Sequence, residues 1–306
     1  MKALSVIKII GVDILKGLAA AIVIFPGLIV GGLFTGLLGL TSPETPAYIN
    51  MTTIFPLMMI SGIIIAITLG ECYRRLHWSF WPRMLAIWLT NYLLYNLLNL
   101  LDGLLFTPFP HMSTGIISYL FPALFSALVI AWLWKAEQVL PTREQISGFF
   151  STRTGSSWAW RIAAAWLIYP AIYCLVGRVV ALFTINYYQD PNSNLGLTLP
   201  PLGTLLLMQV LRGALFLLAV APILVSWRGK SAHLWGWIGT VIFVLIANQV
   251  IIQAYWMPFD LRAPHALELL VDSFVQAAVY VWLLYQPIPS ANRVSEPALV
   301  GEQASV

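Results

Sequence analysis

Five polar side chains recur at helical intervals near the end of the chain. Arg262, His265, Glu268, Asp272 and Gln276 are separated by three, three, four and four residues. On an α-helix that advances ~100° per residue, they fall within a stripe of about 120°. A histidine beside carboxylates is suited to proton exchange near neutral pH, and an arginine binds anionic groups. The spacing therefore predicts a polar helix face that exchanges protons or binds an anion.

Two arginines lie within other apolar segments, at depths that match these carboxylates. An unpaired charge inside a bilayer costs at least about 2.5–3.5 kcal/mol. We therefore predict that Arg212 pairs with Asp272 and that Arg178 pairs with Glu268. The remaining candidates for substrate or proton binding are on the preceding segment: Asn248 and Gln249.

Two interpretations of these charges remain open. In the first, they are structural ion pairs and interhelical hydrogen bonds, which occur between membrane helices. In the second, they line a polar cavity that is open to the outer side, with His265 at its mouth. Ionisable residues within a membrane are by default a functional-site hypothesis.

A second polar run lies in the third apolar segment and consists of Asn91, Asn96, Asn99 and Asp102. These residues fall within about 140° of one another on a helix. Asparagine in membranes commonly forms hydrogen bonds between helices. The run therefore predicts either interhelical contacts or contacts with a ligand.

The segments that carry these residues are long and apolar. Hydrophobic residues make up 59% of the 306-residue chain, charged residues 9%, and the mean hydropathy is +0.83. A bilayer core of ~30 Å requires about 20 apolar residues per helix, and backbone groups in lipid must be paired within a helix. The sequence predicts an all-α, polytopic integral membrane protein with about eight spans: 17–40, 52–71, 81–103, 113–134, 158–184, 201–226, 234–255 and 264–285.

Lysine and arginine alternate between the connections of these segments. Alternate connections are basic, whereas the opposite set contains a single basic residue, Arg262. By the positive-inside rule, both termini are predicted to be cytoplasmic, in a multi-pass protein of the cell membrane. The pI near 9.1 thus indicates a lipid-bilayer partner, and no nucleic-acid partner is predicted, since that would require the charges on one folded face.

The two halves of the chain resemble each other. Residues 1–135 and 158–286 each form one predicted four-helix unit, joined by a cytoplasmic linker at 136–157, and 287–306 is predicted to be a disordered cytoplasmic tail. The matching motifs are 19–21 with 163–165, Pro26 with Pro170, Ser61-Gly62 with Arg212-Gly213, 106–109 with 256–259, and Trp132-Leu133 with Trp282-Leu283. This pattern predicts a tandem repeat related by an axis along the membrane normal.

The alignment of the halves also shows where they diverge. The second half has Arg212, His265, Glu268 and Asp272, where the first has Ser61, Gly115, Ser118 and Pro122. If the halves are equivalent, the ionisable groups are concentrated in one copy. The first copy is then expected to be a scaffold or to contribute uncharged polar groups.

The sequence lacks a complete phosphate-binding Gly-x-x-x-x-Gly-Lys-Ser/Thr loop, a His-Glu-x-x-His pair and a Gly-x-Ser-x-Gly motif, which disfavours a transport ATPase or a helical metalloprotease. We predict a permease or secondary-transporter-like protein, with a small anionic or lipid-like ligand and its site in the outer half of helices five to eight. The alternatives are a membrane-embedded enzyme that acts on a lipid-linked or quinone-like substrate, and a non-catalytic subunit of a membrane complex. No cofactor, metal site or specific catalytic residue is predicted.

The first apolar segment is rich in glycine. Gly27, Gly31, Gly32 and Gly36 form two pairs with four-residue spacing. Small residues at this spacing let helix backbones approach closely. We expect a close-packing surface there, through which the protein could also form an oligomer.

Overall fold

The structure of the protein is a computed structural model that describes residues 2–41, 49–107, 112–190 and 195–286, with side chains from residue 10 onward. These residues form α-helices and connections and include no β-strand. The predicted tail, 287–306, and Pro108 of the repeat motif lie outside the described residues.

Eight helical segments are long and apolar enough to cross a membrane, which confirms the prediction of a multi-pass, all-α protein. They are numbered here as spans 1 to 8 in chain order: Ile10–Leu37, Met51–Leu76, Phe80–Phe106, Gly115–Leu133, Gly155–Gln189, Leu202–Ser226, Ser231–Gln253 and Phe259–Leu284. Most of them extend several residues beyond the predicted ends, because polar residues continue a helix once it leaves the apolar core.

Five of the spans are interrupted rather than regular: spans 1, 3, 4, 5 and 7. Span 1 consists of helices Lys2–Ile22 and Ile24–Leu37, and span 5 of Gly155–Leu167 and Tyr169–Gln189. Each break lies two or three residues before a proline, Pro26 or Pro170, and proline removes a backbone donor and clashes with the preceding turn. Spans 3 and 7 contain π-helical stretches, given below with the site.

The remaining helices are uninterrupted or short. Span 2 is the helix Met51–Tyr73, followed by a 3₁₀ turn at Arg74–Leu76. The Asn50 side chain caps its start by accepting a hydrogen bond from the Thr52 N–H at 2.9 Å. The α-helical parts of span 3 are Phe80–Thr90 and Leu98–Phe106, and those of span 4 are Gly115–Ser118 and Leu120–Leu133, preceded by a 3₁₀ turn at Met112–Thr114. Spans 6 and 8 are the single helices Leu202–Ser226 and Phe259–Leu284, and the α-helical part of span 7 is Ser231–Asn248.

The spans pack in an order that is similar in the two halves. Span 1 contacts spans 2 and 4, and span 5 contacts spans 6 and 8. Several hydrogen bonds join the halves. Among them, the Thr90 hydroxyl of span 3 donates to the Ala219 carbonyl of span 6 at 2.7 Å, and Asn248 of span 7 donates to the Ser61 carbonyl of span 2 at 3.4 Å. The core of the bundle therefore runs across both halves.

Span 1 lies against span 4 through two of its glycines. A Cβ atom added at Gly27 would be 2.5 Å from the Pro122 Cα, and one at Gly31 would overlap the Ser118 carbonyl oxygen. Gly32 and Gly36 have nothing within 4 Å of an added Cβ. Gly27 and Gly31 thus pack against span 4 of the same chain, whereas Gly32 and Gly36 face outward.

The linker is more ordered than its composition predicts. Residues Thr142–Phe150 form a helix, and the ring of its buried Phe149 packs 4.7 Å from that of Trp158, centroid to centroid. The Gln145 amide donates to the carbonyl oxygens of His77 and Leu140. This segment is therefore folded onto the same end of the bundle as the start of spans 3 and 5.

Several basic side chains at that end bind helix carbonyls. Arg83 donates to the Ala131 carbonyl near the end of span 4 at 2.8 Å, and Arg161 donates to the Leu283 carbonyl near the end of span 8 at 3.0 Å. Arg153 also donates to Leu283, and partial burial lowers the pKa of its guanidinium below the usual value. Cations here satisfy carbonyls that lack a partner at helix C-termini.

Candidate functional site

A cavity of about 460 Å³ lies near the end of the bundle where spans 6 and 8 begin, which is the predicted outer end. It is lined by spans 3, 5, 6, 7 and 8 and by the connection at 195–199. Its walls are mainly leucine, valine and aromatic side chains, with polar groups placed among them. Small-molecule sites typically have volumes of ~300–1,000 Å³ and a mainly apolar lining with a few polar groups.

The cavity brings together five of the nine residues singled out from the sequence: Arg178, Arg212, Gln249, His265 and Glu268. Asn99 and Asp102 of the second polar run also line it, whereas Asn91 and Asn96 do not. The cavity therefore involves a helix of the first half that the sequence analysis had not assigned to the site.

Arg212 pairs with Asp102 rather than with Asp272. Its Nη2 atom forms a close ion pair with the Asp102 Oδ1 atom, and its guanidinium carbon is 5.9 Å from the centre of the Tyr173 ring. The Arg212 side chain is 7% exposed and that of Asp102 36% exposed. The predicted pairing was wrong because depth alone cannot distinguish a carboxylate on span 3 from one on span 8.

Asp272 lies below the cavity and does not line it. Its side chain is buried, and neither carboxyl oxygen has a hydrogen-bond partner among the described residues. The groups that act on it electrostatically are Arg212 of span 6, Tyr169 of span 5 and Glu268 of its own span. Span 7, which also packs against span 8, has no titratable residue from 234 to 253.

The second predicted ion pair, between Arg178 and Glu268, is also absent from the described residues. Glu268 instead accepts a hydrogen bond from His265 Nδ1 at 2.9 Å. With its proton on Nδ1, the imidazole can accept at Nε2 from the Tyr188 hydroxyl, which is 3.1 Å away. Tyr188 was missed by the sequence analysis, because a tyrosine near a helix end is more simply explained as an interfacial anchor.

Arg178 lines the cavity from span 5 and is exposed. It has no ion pair or hydrogen bond with any described residue. The adjacent Gly177 faces span 8, where an added Cβ atom would be 3.0 Å from Glu268 Oε1. The positive charge of Arg178 is therefore available to a ligand.

Two π-helical stretches adjoin or include residues that line the cavity. They comprise Asn91–Leu97 in span 3 and Gln249–Gln253 in span 7, and the Gln253 amide donates to the Tyr95 hydroxyl at 2.5 Å. Asn99 and Asp102 follow the first stretch, and Gln249 begins the second. π-helical turns are rare and occur frequently at functional sites.

The other predicted residues lie outside the cavity. Asn248 and Gln276 are buried, and Gln276 donates to the Ala165 carbonyl of span 5 at 2.9 Å. Arg262 is partly exposed near the start of span 8. Asn248 and Gln276 therefore act as the interhelical hydrogen-bonding groups that are common between membrane helices.

The chain was compared with models of protein families, with curated proteins and with solved structures, and none of the three comparisons gave a significant match.

Proposed function

We propose that the chain is a permease of the secondary-transporter type, whose ligand site is the cavity between spans 5 to 8, completed by span 3. The observation that carries this proposal is that one cavity collects ionisable side chains from four different spans. Charged residues inside a membrane are costly, and they typically mark substrate or ion pathways. The volume and the largely apolar lining are suited to a small organic ligand.

Arg212 is the group that would couple the ligand to a proton. It pairs with the Asp102 carboxyl group and also acts electrostatically on Asp272. An ionised carboxylate without a partner in the bundle would be very costly, and a proton on Asp272 would avoid this cost. If Arg212 moved to Asp272, that proton would be released and Asp102 would be left free on the cavity wall.

His265, Glu268 and Tyr188 provide a second route for protons. The imidazole links the carboxyl group to the phenol through the two hydrogen bonds described above. Histidine changes charge close to neutral pH. A proton taken from the cavity could therefore reach Glu268, which is one helical turn from Asp272.

The proposal includes a tandem repeat of two four-helix units, 1–135 and 158–286, because repeats related about the membrane normal occur in transporters. Spans 1 and 5 break at corresponding prolines. Ser126 donates to the Ala20 carbonyl at 3.4 Å, and Gln276, its counterpart in the alignment, donates to that of Ala165. Among the hydrogen bonds between the halves, the Thr90–Ala219 and Asn248–Ser61 bonds join span pairs that correspond in the alignment, 3 with 6 and 7 with 2.

The proposed orientation places both termini in the cytoplasm of a cell. It is supported by the charge pattern and by the position of the folded linker, which lies with Arg83, Arg153 and Arg161 at one end of the bundle. The cavity lies toward the opposite end. In this orientation the cavity is accessible from outside.

The experiment that tests the permease is alternating access measured with cysteines. Cys174 lines the cavity, whereas Cys72 is fully buried and serves as an internal control. An impermeant thiol reagent should modify Cys174 from outside in right-side-out vesicles. In a Cys174→Ser background, a Gln276→Cys variant should react from the cytoplasmic side in inside-out vesicles.

Reaction of Cys174 from outside together with no reaction at position 276 from either side would contradict the permease. It would favour the second candidate, a membrane-embedded enzyme with a one-sided pocket. The specific observation in favour of that alternative is the Tyr188–His265–Glu268 chain, which resembles the base and orienting group of an acid–base catalyst.

A further inference from the structure

The cavity has two chemically distinct regions. Its charged groups are mostly paired with each other, Arg212 with Asp102 and His265 with Glu268. The apolar region includes Leu195, Leu197, Leu199 and Leu205. A fully hydrophilic ligand would leave this region without contacts, and a fully apolar ligand would leave Arg178 uncompensated.

Arg178 lies eleven positions before the end of the span 5 helix at Gln189, which at 1.5 Å per residue is ~16 Å along the helix. Span 5 has 35 residues, whereas about 20 suffice to cross a bilayer core, so part of this distance lies outside the core. Arg212 is ten positions from the start of span 6 at Leu202, or ~15 Å by the same rise. A cation within a membrane-spanning helix needs an anion or water, and no described residue supplies the anion to Arg178.

The cavity is open to the surface of the bundle alongside span 5. Cys174, Arg178 and Leu199 line it and are exposed. The neighbouring Leu175 and Leu182 are 74% and 76% exposed, as is typical of a lipid-facing helix surface. The opening therefore adjoins a face that is covered by acyl chains in a bilayer.

Resting on the proposed permease, we infer that the ligand is a single-headed amphipathic anion, a carboxylate, sulfonate or phosphate ester with an apolar body. Its head group pairs with Arg178, its body lies along the leucines of the cavity, and it enters from the lipid beside Cys174. Arg212 does not bind the head group, because Asp102 already occupies its guanidinium. A free amphiphile and an anionic lipid share this chemistry.

The test uses the full chain in nanodiscs of phosphatidylcholine, with the rate of Cys174 alkylation by N-ethylmaleimide as the readout. Decanesulfonate and decyl phosphate should slow alkylation, whereas decanol, methanesulfonate and decyltrimethylammonium should not. Arg178→Gln should weaken the protection by decanesulfonate at least about tenfold in half-maximal concentration, which corresponds to about 1.4 kcal/mol. Arg262→Gln is the matched control, since this arginine is outside the cavity, and it should retain protection.

Protection by decanol equal to that by decanesulfonate, or unchanged protection in Arg178→Gln, would overturn the inference. Protection by methanesulfonate alone would also overturn it, because the apolar body would then be irrelevant. Nanodiscs that contain phosphatidylglycerol distinguish the sources: Arg178-dependent protection without any added amphiphile identifies a bilayer lipid as the ligand.

The same proteins in proteoliposomes separate this inference from the permease. Arg178-dependent protection without uptake of decanesulfonate would retain the ligand class and refute the permease. Uptake of a neutral or cationic solute that is unaffected by Arg178→Gln would refute the ligand class and retain the permease.

Discussion

The contact between spans 1 and 4 differs sharply from the contact between spans 5 and 8, which is its counterpart in the proposed repeat. In the first half, Gly27 and Gly31 bring span 1 directly against the backbone of span 4 at Pro122 and Ser118. Beside this contact there is only a small void of about 30 Å³, roughly enough for one water. The first-half contact is therefore closed by backbone packing.

In the second half, the position that corresponds to Ser118 in the alignment is Glu268. It faces Gly177 of span 5 through a side chain, and the cavity of about 460 Å³ lies beside it. The comparison indicates that small residues close the contact between spans 1 and 4, whereas ionisable side chains and a cavity lie beside the contact between spans 5 and 8. The following predictions test this difference, beginning with the largest expected effect.

The stability of the charged cluster, which consists of Arg212, Asp102 and Asp272, should depend on the two carboxylates. Asp102→Ala with Asp272→Ala leaves Arg212 buried without an anion, and we expect a loss of ~3–5 kcal/mol in unfolding free energy. Each single replacement should cost less, because Arg212 can pair with the remaining carboxylate. Ser61→Ala, at the first-half counterpart of Arg212, is the control. Denaturant unfolding in detergent gives the values, and additive single effects would show that the two aspartates do not share Arg212.

The closed contact should be sensitive to side-chain volume. Gly31→Leu forces a side chain against the backbone of span 4, and overpacking of this kind costs about 1–3 kcal/mol. Gly32→Leu is the matched control, because its Cβ atom would meet open space. Thermal melting in detergent should show a lower midpoint only for Gly31→Leu. Equal melting of the two variants would mean that span 1 does not pack there.

The contact between spans 5 and 8 at Gly177 should tolerate the same change in side-chain volume, but the cavity should lose its ligand binding. At Gly177 an added Cβ atom would meet only the flexible end of Glu268, so Gly177→Leu should change stability by less than about 1 kcal/mol. The new side chain should fill the cavity and abolish protection of Cys174 by decanesulfonate. Retained protection would place the ligand elsewhere.

The smallest effect concerns the two corresponding hydrogen bonds. Gln276→Ala removes the bond of 2.9 Å to Ala165 and should cost about 0.6 kcal/mol, the average for hydrogen bonds between membrane helices. Ser126→Ala removes the longer bond of 3.4 Å to Ala20 and should cost less. Unfolding in detergent measures both. A larger loss for Ser126→Ala would contradict the expected order.

The sequence was sufficient for the eight spans, because each is an apolar run long enough to cross a bilayer. It also identified most of the polar residues that line the cavity, since charge is so scarce in this chain. It did not identify the correct ion pairs. Arg212 has carboxylates on spans 3 and 8 at accessible depths, and only the lateral arrangement of the helices decides between them.

The ordered linker was missed for a different reason. Thr142, Ser147 and Gly148 weaken the helical signal between 142 and 150, and intrinsic propensity is overridden by tertiary contacts. The burial of Phe149 and the hydrogen bonds of Gln145 stabilise this helix. Neither contact can be inferred without the positions of spans 2 and 5.

The π-helical stretch in span 3 has a consequence for how its residues are phased. A π turn accommodates one residue more than an α turn, so side chains beyond it are offset by about 100° from an uninterrupted helical wheel. The direction in which the Asp102 side chain points therefore depends on the number of residues in the π-helical stretch as well as on their types. Deleting one residue between 91 and 97 would turn Asp102 away from Arg212 without altering any residue of the charged cluster.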